Sequence, residues 1–217
     1  MMTDIHSHDP QIRPGQIKVL SLQLHPDTDL TEVLNAIPPE ILLSAGIHPW
    51  HASEWTSANI SNLNKIVHSS RVVFLGEIGL DNACNVPLEK QMFVFKEQLL
   101  LADTYRKSVL IHAVGHQAEL MALKKEFKHI PAWILHGFRG KVQMAEQYLK
   151  SDFYLSFGLH YQPEALRACP MDRLFLETDE SDTEIGCLYQ KVAEDLGLSV
   201  SALESFIAKN LKIICLK

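Results

Sequence analysis

What the chain lacks narrows the possibilities before any motif is read. No apolar run approaches the roughly 18 residues of a membrane-spanning helix, and the N-terminal MMTDIHSHDP has neither the basic segment nor the apolar stretch of a secretion signal. The expectation is a soluble, uncleaved protein with no membrane partner. Cysteine is sparse: Cys84, Cys169, Cys187 and Cys215 include no C-x-x-C pair, and a secreted chain held by disulfides would carry a denser set. Reduced thiols in a cytoplasmic protein are therefore expected. Positive charge is also short, with 20 basic against 26 acidic residues and a formal net charge of −6, which argues against a broad nonspecific nucleic-acid surface. A narrow phosphate-reading cleft is still compatible with that balance. Repeats, low-complexity tracts and dividing linkers are absent, so residues 1–217 are expected to form a single domain.

What is present is a large apolar fraction, 47%, and eleven histidines whose positions matter more than their number. Short apolar, β-branched runs alternate with amphipathic stretches along the chain. The predicted strands are DIHSH (4–8), QIKVLSLQL (16–24), ILLSAGI (41–47), VVFLGEI (72–78), SVLIHA (108–113), AWILHG (132–137), DFYLSFG (152–158) and RLFLETD (173–179). Between and after them the spacing predicts helices over 28–37, with Thr28 or Asp29 as cap, and over 53–68, 88–107, 117–127, 142–149, 163–168, 184–196 and 199–214. Crossover helices return each strand to the same direction, so eight such units imply a parallel sheet. A compact α/β (β/α)8 TIM-like barrel with shortened loops is the expected fold. An open doubly wound sheet is the alternative, but its glycine-rich phosphate fingerprint is missing after the first strand, where the chain reads DPQIRPG.

In such a barrel the functional groups stand at the C-terminal strand ends. His6, His8, His48, Glu77, His112, His136 and Asp179 all fall there. Any one of these histidines alone reads as a solvated or hydrogen-bonded side chain. Metal-type donors at five of the eight strand ends are a different matter. Six donors (His6, His8, Glu77, His112, His136, Asp179) exceed the three of a mononuclear catalytic zinc site, so two divalent ions sharing a carboxylate are the economical reading. Glu77 lies in strand order between the two histidine groups and is the natural sharer. Its neighbours Gly76 and Gly79 read as room for metals and substrate to approach the backbone. The donor mixture suits zinc, manganese, iron or nickel better than calcium, with magnesium possible beside phosphate.

The set DIHSH, GIHPWH, GEIGLD, IHAVGH, LHGFRG with YLSFG, and LFLETD resembles the TatD family of metal-dependent hydrolases from Asp4 to about Ser181. That resemblance implies a (β/α)8 barrel with a two-metal centre, often a DNase acting on phosphodiesters. It implies that His6 and His8 bind one metal with Asp179, that Glu77 bridges, and that His112 and His136 bind the second. Asp179 would also orient or deprotonate the attacking water. The chain departs from the family pattern at Asn82 after GEIGLD, at Val114 where an arginine is common, and over the loop from Glu180 to Gly186.

Substrate contacts are expected from Arg139 on phosphate, from Trp50 stacking on a base, and from His48. The expected function is a metal-dependent hydrolase, a deoxyribonuclease or phosphodiesterase, cutting DNA, other nucleic-acid ends or a small phosphate ester. Two alternatives stand beside it: hydrolysis of a small ester, amide or lactone, and a metal-binding protein without catalysis. A monomer or small homo-oligomer is expected.

Overall fold

The computed structural model describes residues 1–25 and 27–215. Among the described residues there are eight strands: β1 (Met2–Ser7), β2 (Gln16–Gln23), β3 (Leu42–Gly46), β4 (Val72–Asp81), β5 (Ser108–Val114), β6 (Trp133–Leu135), β7 (Tyr154–Phe157) and β8 (Leu174–Leu176). The α-helices are α1 (Leu30–Ala36), α2 (Ser57–Ile66), α3 (Leu88–Thr104), α4 (Gln117–Glu126), α5 (Val142–Lys150), α6 (Pro163–Ala168), α7 (Ile185–Leu196) and α8 (Val200–Cys215). The strands follow chain order in one eight-stranded sheet. From β2 onward an α-helix lies in every connection, as parallel neighbouring strands require. The chain forms two compact units, Ser21–Trp133 and Met1–Leu20 with Ile134–Lys217.

In the unit Ser21–Trp133, β3, β4 and β5 run parallel, with Ala45 opposite Leu75 and Gly79 opposite His112. All but one of the residues of β4 are buried, as an apolar run covered on both faces requires. The glycines of β4 serve backbone packing. A Cβ on Gly76 would lie 2.6 Å from the Leu110 Cβ, and one on Gly79, at φ +150°, would lie 2.0 Å from the His112 carbonyl oxygen. The space expected for metals and substrate is thus filled by β5, because the two strands approach more closely than any side chain allows. Two buried glutamines of α3, seven residues apart and so on one helix face, hold the neighbouring strand ends. Gln91 accepts from the Asp81 N–H at 2.8 Å and donates to its carbonyl at 2.9 Å, and Gln98 does the same for Ile47 at 2.8 and 3.1 Å.

The continuous helix expected over 53–68 is instead a 3-10 turn, Pro49–Glu54, followed by α2. Thr56 and Asn59 form a capping box that starts a new helix there, and Pro49 starts the 3-10 turn. Asp29 caps α1, accepting from Thr31 and Glu32.

In the unit Met1–Leu20 with Ile134–Lys217, β1 pairs with β2, and β6, β7 and β8 pair in sequence, all parallel. The end of β8 returns to β1: Ser7 and Asp179 form a parallel bridge, and the Asp179 N–H donates to the His6 carbonyl at 2.9 Å. Fully buried Ile5, Phe153, Phe157 and Phe175 fill the core. Tyr189 of α7 donates to the Thr3 carbonyl and accepts from its N–H, which fastens β1. The sixth and eighth strands are shorter than expected, ending at Leu135 and Leu176. Left-handed backbone at Gly137 (φ +57°) and Asp179 (φ +56°) cannot continue a ladder, so His136 and Asp179 project from turns just beyond the strands.

Gly79→Ala is expected to cost about 2–5 kcal/mol, combining strained backbone with overpacking. Gly197→Ala, where φ is +66° but nothing lies within 4 Å of the added carbon, should cost only about 1–2 kcal/mol. Urea unfolding of the two variants checks the difference.

Candidate functional site

Each unit gathers its own histidine–carboxylate cluster. In the unit Ser21–Trp133 the centre is Glu77, buried at 8% exposure on β4. His112, on β5 opposite Gly79, puts Nδ1 2.8 Å from Glu77 Oε1, and His48 puts Nε2 3.2 Å from the same oxygen. The two rings are 4.3 Å apart at their centroids. His48 is the cap residue of the 3-10 turn, and its Nδ1 accepts from the Trp50 N–H at 3.3 Å. One donor atom from each of His48, Glu77 and His112 lies within 4.8 Å of the others.

A second carboxylate stands behind His112. Asp81 Oδ2 lies 3.0 Å from His112 Nε2 and accepts from the Trp50 indole N–H at 2.7 Å, while Oδ1 accepts from the Ala83 N–H at 2.7 Å. Burial pushes the Asp81 carboxyl upward, but the hydrogen bonds from Trp50, Ala83 and His112 outweigh it and hold the group below the usual carboxylate range. Carboxylates behind ligating histidines fix ring orientation and raise basicity. Trp50 itself is 58% exposed, with its ring edge-on to His48.

In the other unit, His6, His136 and Asp179 form the cluster, again with donors within 4.8 Å. His6 is fully buried, with its ring 4.5 Å from that of His136 and Nε2 3.3 Å from Asp179 Oδ1. His8, two residues along β1 and so on the same face, places Nε2 3.7 Å from that oxygen. Backbone pairing explains the convergence: the Asp179 carbonyl accepts from the His8 N–H as its own N–H donates to His6. Asp tolerates the left-handed conformation this needs. Behind His136 stands fully buried Glu177, whose Oε1 lies 3.3 Å from Nδ1 and accepts from the Gly137 N–H, and whose Oε2 accepts from Ser156. Asp4, also on β1, accepts from the Thr178 N–H and hydroxyl; burial pushes its carboxyl up to about 6 despite those bonds.

All six expected donors therefore stand in clusters, His6, His8, His136 and Asp179 in one unit and Glu77 with His112 in the other. His48, expected at substrate, stands on Glu77 with the candidate ligands. Arg139 is exposed on the loop after β6. Sequence reasoning missed Asp81 and Glu177. The available signal was parity: Asp81 is four residues past Glu77 in the same strand, on the same face. Both donor sets, imidazoles with one carboxylate, fit divalent ions of the zinc or manganese type.

Parallel βα topology with metal-type donors at successive C-terminal strand ends defines the class, a (β/α)8 barrel of the metal-dependent hydrolase kind. The chain belongs to the TatD related DNase family, whose model matches residues 13–212. It is 34% identical over 148 residues to the 3'-5' ssDNA/RNA exonuclease TatD of Erwinia amylovora, covering 63% of this chain and 56% of that protein. It is 30% identical over 148 residues to the uncharacterised metal-dependent hydrolase YabD of Bacillus subtilis, covering 64% and 58%. The chain thus spans little more than half the length of these relatives. The fold matches a solved TatD homologue from Escherichia coli K12 with TM-score 0.85 and 19% identity over 100% of this chain and 98% of that one. It also matches a TatD family hydrolase from Entamoeba histolytica with TM-score 0.77 and 15% identity over 99% and 97%. Among the described residues no helix is long and apolar enough to cross a membrane.

Because the folded Asp81 carboxyl lies below its unfolded value, the stability it contributes is full above that unfolded value and is lost as pH falls through the folded one. Trp50→Phe removes one of its donors, so the Asp81 titration should move up and metal-free stability at pH 7 should drop by about 1 kcal/mol. Carboxyl NMR titration and urea unfolding at pH 3 and pH 7 measure both.

Proposed function

We propose that the chain is a metal-dependent phosphodiester hydrolase that acts on nucleic-acid ends and uses two divalent ions, Zn, Mn or Mg. The carrying observation is the pair of histidine–carboxylate clusters at strand ends in a TatD family chain. The exonuclease name of the Erwinia relative supports nucleic acid as substrate. In this reading His6, His8, His136 and Asp179 offer one donor set, and His48, Glu77 and His112 the other. Such ions, when bound, supply Lewis-acid charge stabilisation and acidify water at neutral pH.

The chain's own groups do the rest. Asp179, held by backbone pairing beside His6 and His8, orients the attacking water and accepts its proton. Asp81 and Glu177 keep His112 and His136 in fixed orientation. Arg139 reaches substrate phosphate, and the exposed face of Trp50 stacks on a base. A cytoplasmic setting belongs to the proposal, supported by Cys84, Cys169, Cys187 and Cys215 forming no disulfide among the described residues. A small ester, amide or lactone is the second reading, favoured by Val114, 38% exposed where phosphate-reading family members carry arginine.

Asp179→Asn is expected to lower kcat on 3'-labelled single-stranded DNA by about 10²–10⁴-fold with an unchanged far-UV spectrum. Near-normal turnover would remove Asp179 from the mechanism. Chelation should abolish activity and added Zn, Mn or Mg restore it. The same protein, with Glu77→Ala as blank, is then assayed on chromogenic phosphodiesters, esters and amides. Cleavage of esters or amides with no cut in DNA would select the second reading. Arg139→Ala should raise KM for single-stranded DNA with kcat little changed, and should flatten the dependence of log affinity on log salt by about 0.7.

A further inference from the structure

A third set of metal-type donors uses no residue of the two clusters above. His25, just past β2, and His51 and Glu54, both on the 3-10 turn Pro49–Glu54, bring one donor atom each to within 4.8 Å of one another. The two oxygens of Glu54 are divided between the rings: Oε1 lies 2.9 Å from His51 Nδ1, and Oε2 lies 3.2 Å from His25 Nδ1. The rings stand 5.5 Å apart at 82° to each other. Ligands of a four-coordinate zinc-type ion with bonds of about 2.0–2.1 Å are about 3.3 Å apart, so small rotations of these side chains suffice to admit one.

The segments bearing these groups are anchored before any ion arrives. Asn59, 1% exposed, donates to the Leu24 carbonyl at 3.3 Å and accepts from the Thr56 N–H at 2.7 Å, which ties the chain beside His25 to the chain just after Glu54. The His25 N–H donates to Thr28 Oγ1 at 2.8 Å, and the His51 N–H donates to the His48 carbonyl at 2.9 Å. Side-chain exposures of 45% for His25, 37% for His51 and 48% for Glu54 leave the remaining coordination positions open to water.

We infer that His25, His51 and Glu54 form a further, solvent-facing binding site for one divalent transition-metal ion of the zinc class. Two imidazoles and one carboxylate select such ions over calcium or magnesium. An ion here fastens the residue after β2 to the turn that begins at His48 and carries Trp50. The site does not depend on the nuclease reading.

The test uses the full untagged chain with Zn²⁺ and Cu²⁺ as probes. After equilibrium dialysis against Zn²⁺, elemental analysis should find one fewer ion per chain in His25→Ala than in the unsubstituted protein. Glu54→Gln, a milder change should His25→Ala fold poorly, should weaken that ion's binding at least tenfold. A variant lacking His6 and His112 should retain it and show a Cu²⁺ resonance spectrum with nitrogen hyperfine structure, lost when His25→Ala is added. Equal zinc stoichiometry and affinity in the unsubstituted, His25→Ala and Glu54→Gln proteins would overturn the inference and leave the two-cluster reading standing. An unsubstituted protein that binds only the ion lost in His25→Ala would have the converse effect.

Discussion

The contact on which the histidine–carboxylate cluster of Ser21–Trp133 depends is the one between β4 and β5 at Gly79. There the His112 carbonyl occupies the space that a Cβ at position 79 would need. Glycine is required on steric grounds, and the close approach it permits sets Glu77 of one strand against His112 of the next. From Glu77 the arrangement extends to His48, and from His112 through Asp81 to Trp50. A buried carboxylate that would otherwise be costly thereby acquires two imidazole partners. The glutamines of α3 complete the same design by satisfying backbone groups at Asp81 and Ile47, where the strand ladder ends.

In the other unit the organising device is the return of the chain from β8 to β1. Asp179 departs from strand geometry, and its backbone bonds to both sides of Ser7 bring its carboxylate to His6 and His8. Glu177 and Asp4 are the buried carboxyls of this region. The first is satisfied by Gly137, Ser156 and His136, the second by Thr178. Each cluster thus has inner donors that face one another and an outer carboxylate that orients a histidine, Asp81 behind His112 and Glu177 behind His136. Second carboxylates of this kind are where the tuning of a metal site resides.

Much of this was legible in the chain. Short apolar β-branched runs separated by amphipathic stretches made a parallel (β/α)8 sheet the expectation, and strand order follows that reading. Donors at strand ends could be named because the barrel topology places every strand's C-terminus at one end. Boundaries were less legible: the helix expected over 53–68 divides at Thr56 because its capping box competes locally with apolar periodicity. Roles were least legible. His48 reads from sequence as a substrate contact, and only its distance to Glu77 places it among candidate ligands.

The sequence alone determined element types, their order and the identity of six candidate donors, since these follow from local periodicity and from which side chains carry metal-binding atoms. Tertiary structure decided which donors meet, that the glycines of β4 admit β5, and that Asp81 and Glu177 stand behind histidines. The reason is that such pairings join residues far apart in the chain, 31 positions for Asp81 with His112, 41 for Glu177 with His136, and farther still for Asp179 with His6. No local pattern encodes an approach of that length; it is set by strand register and by backbone turns such as the left-handed one at Asp179.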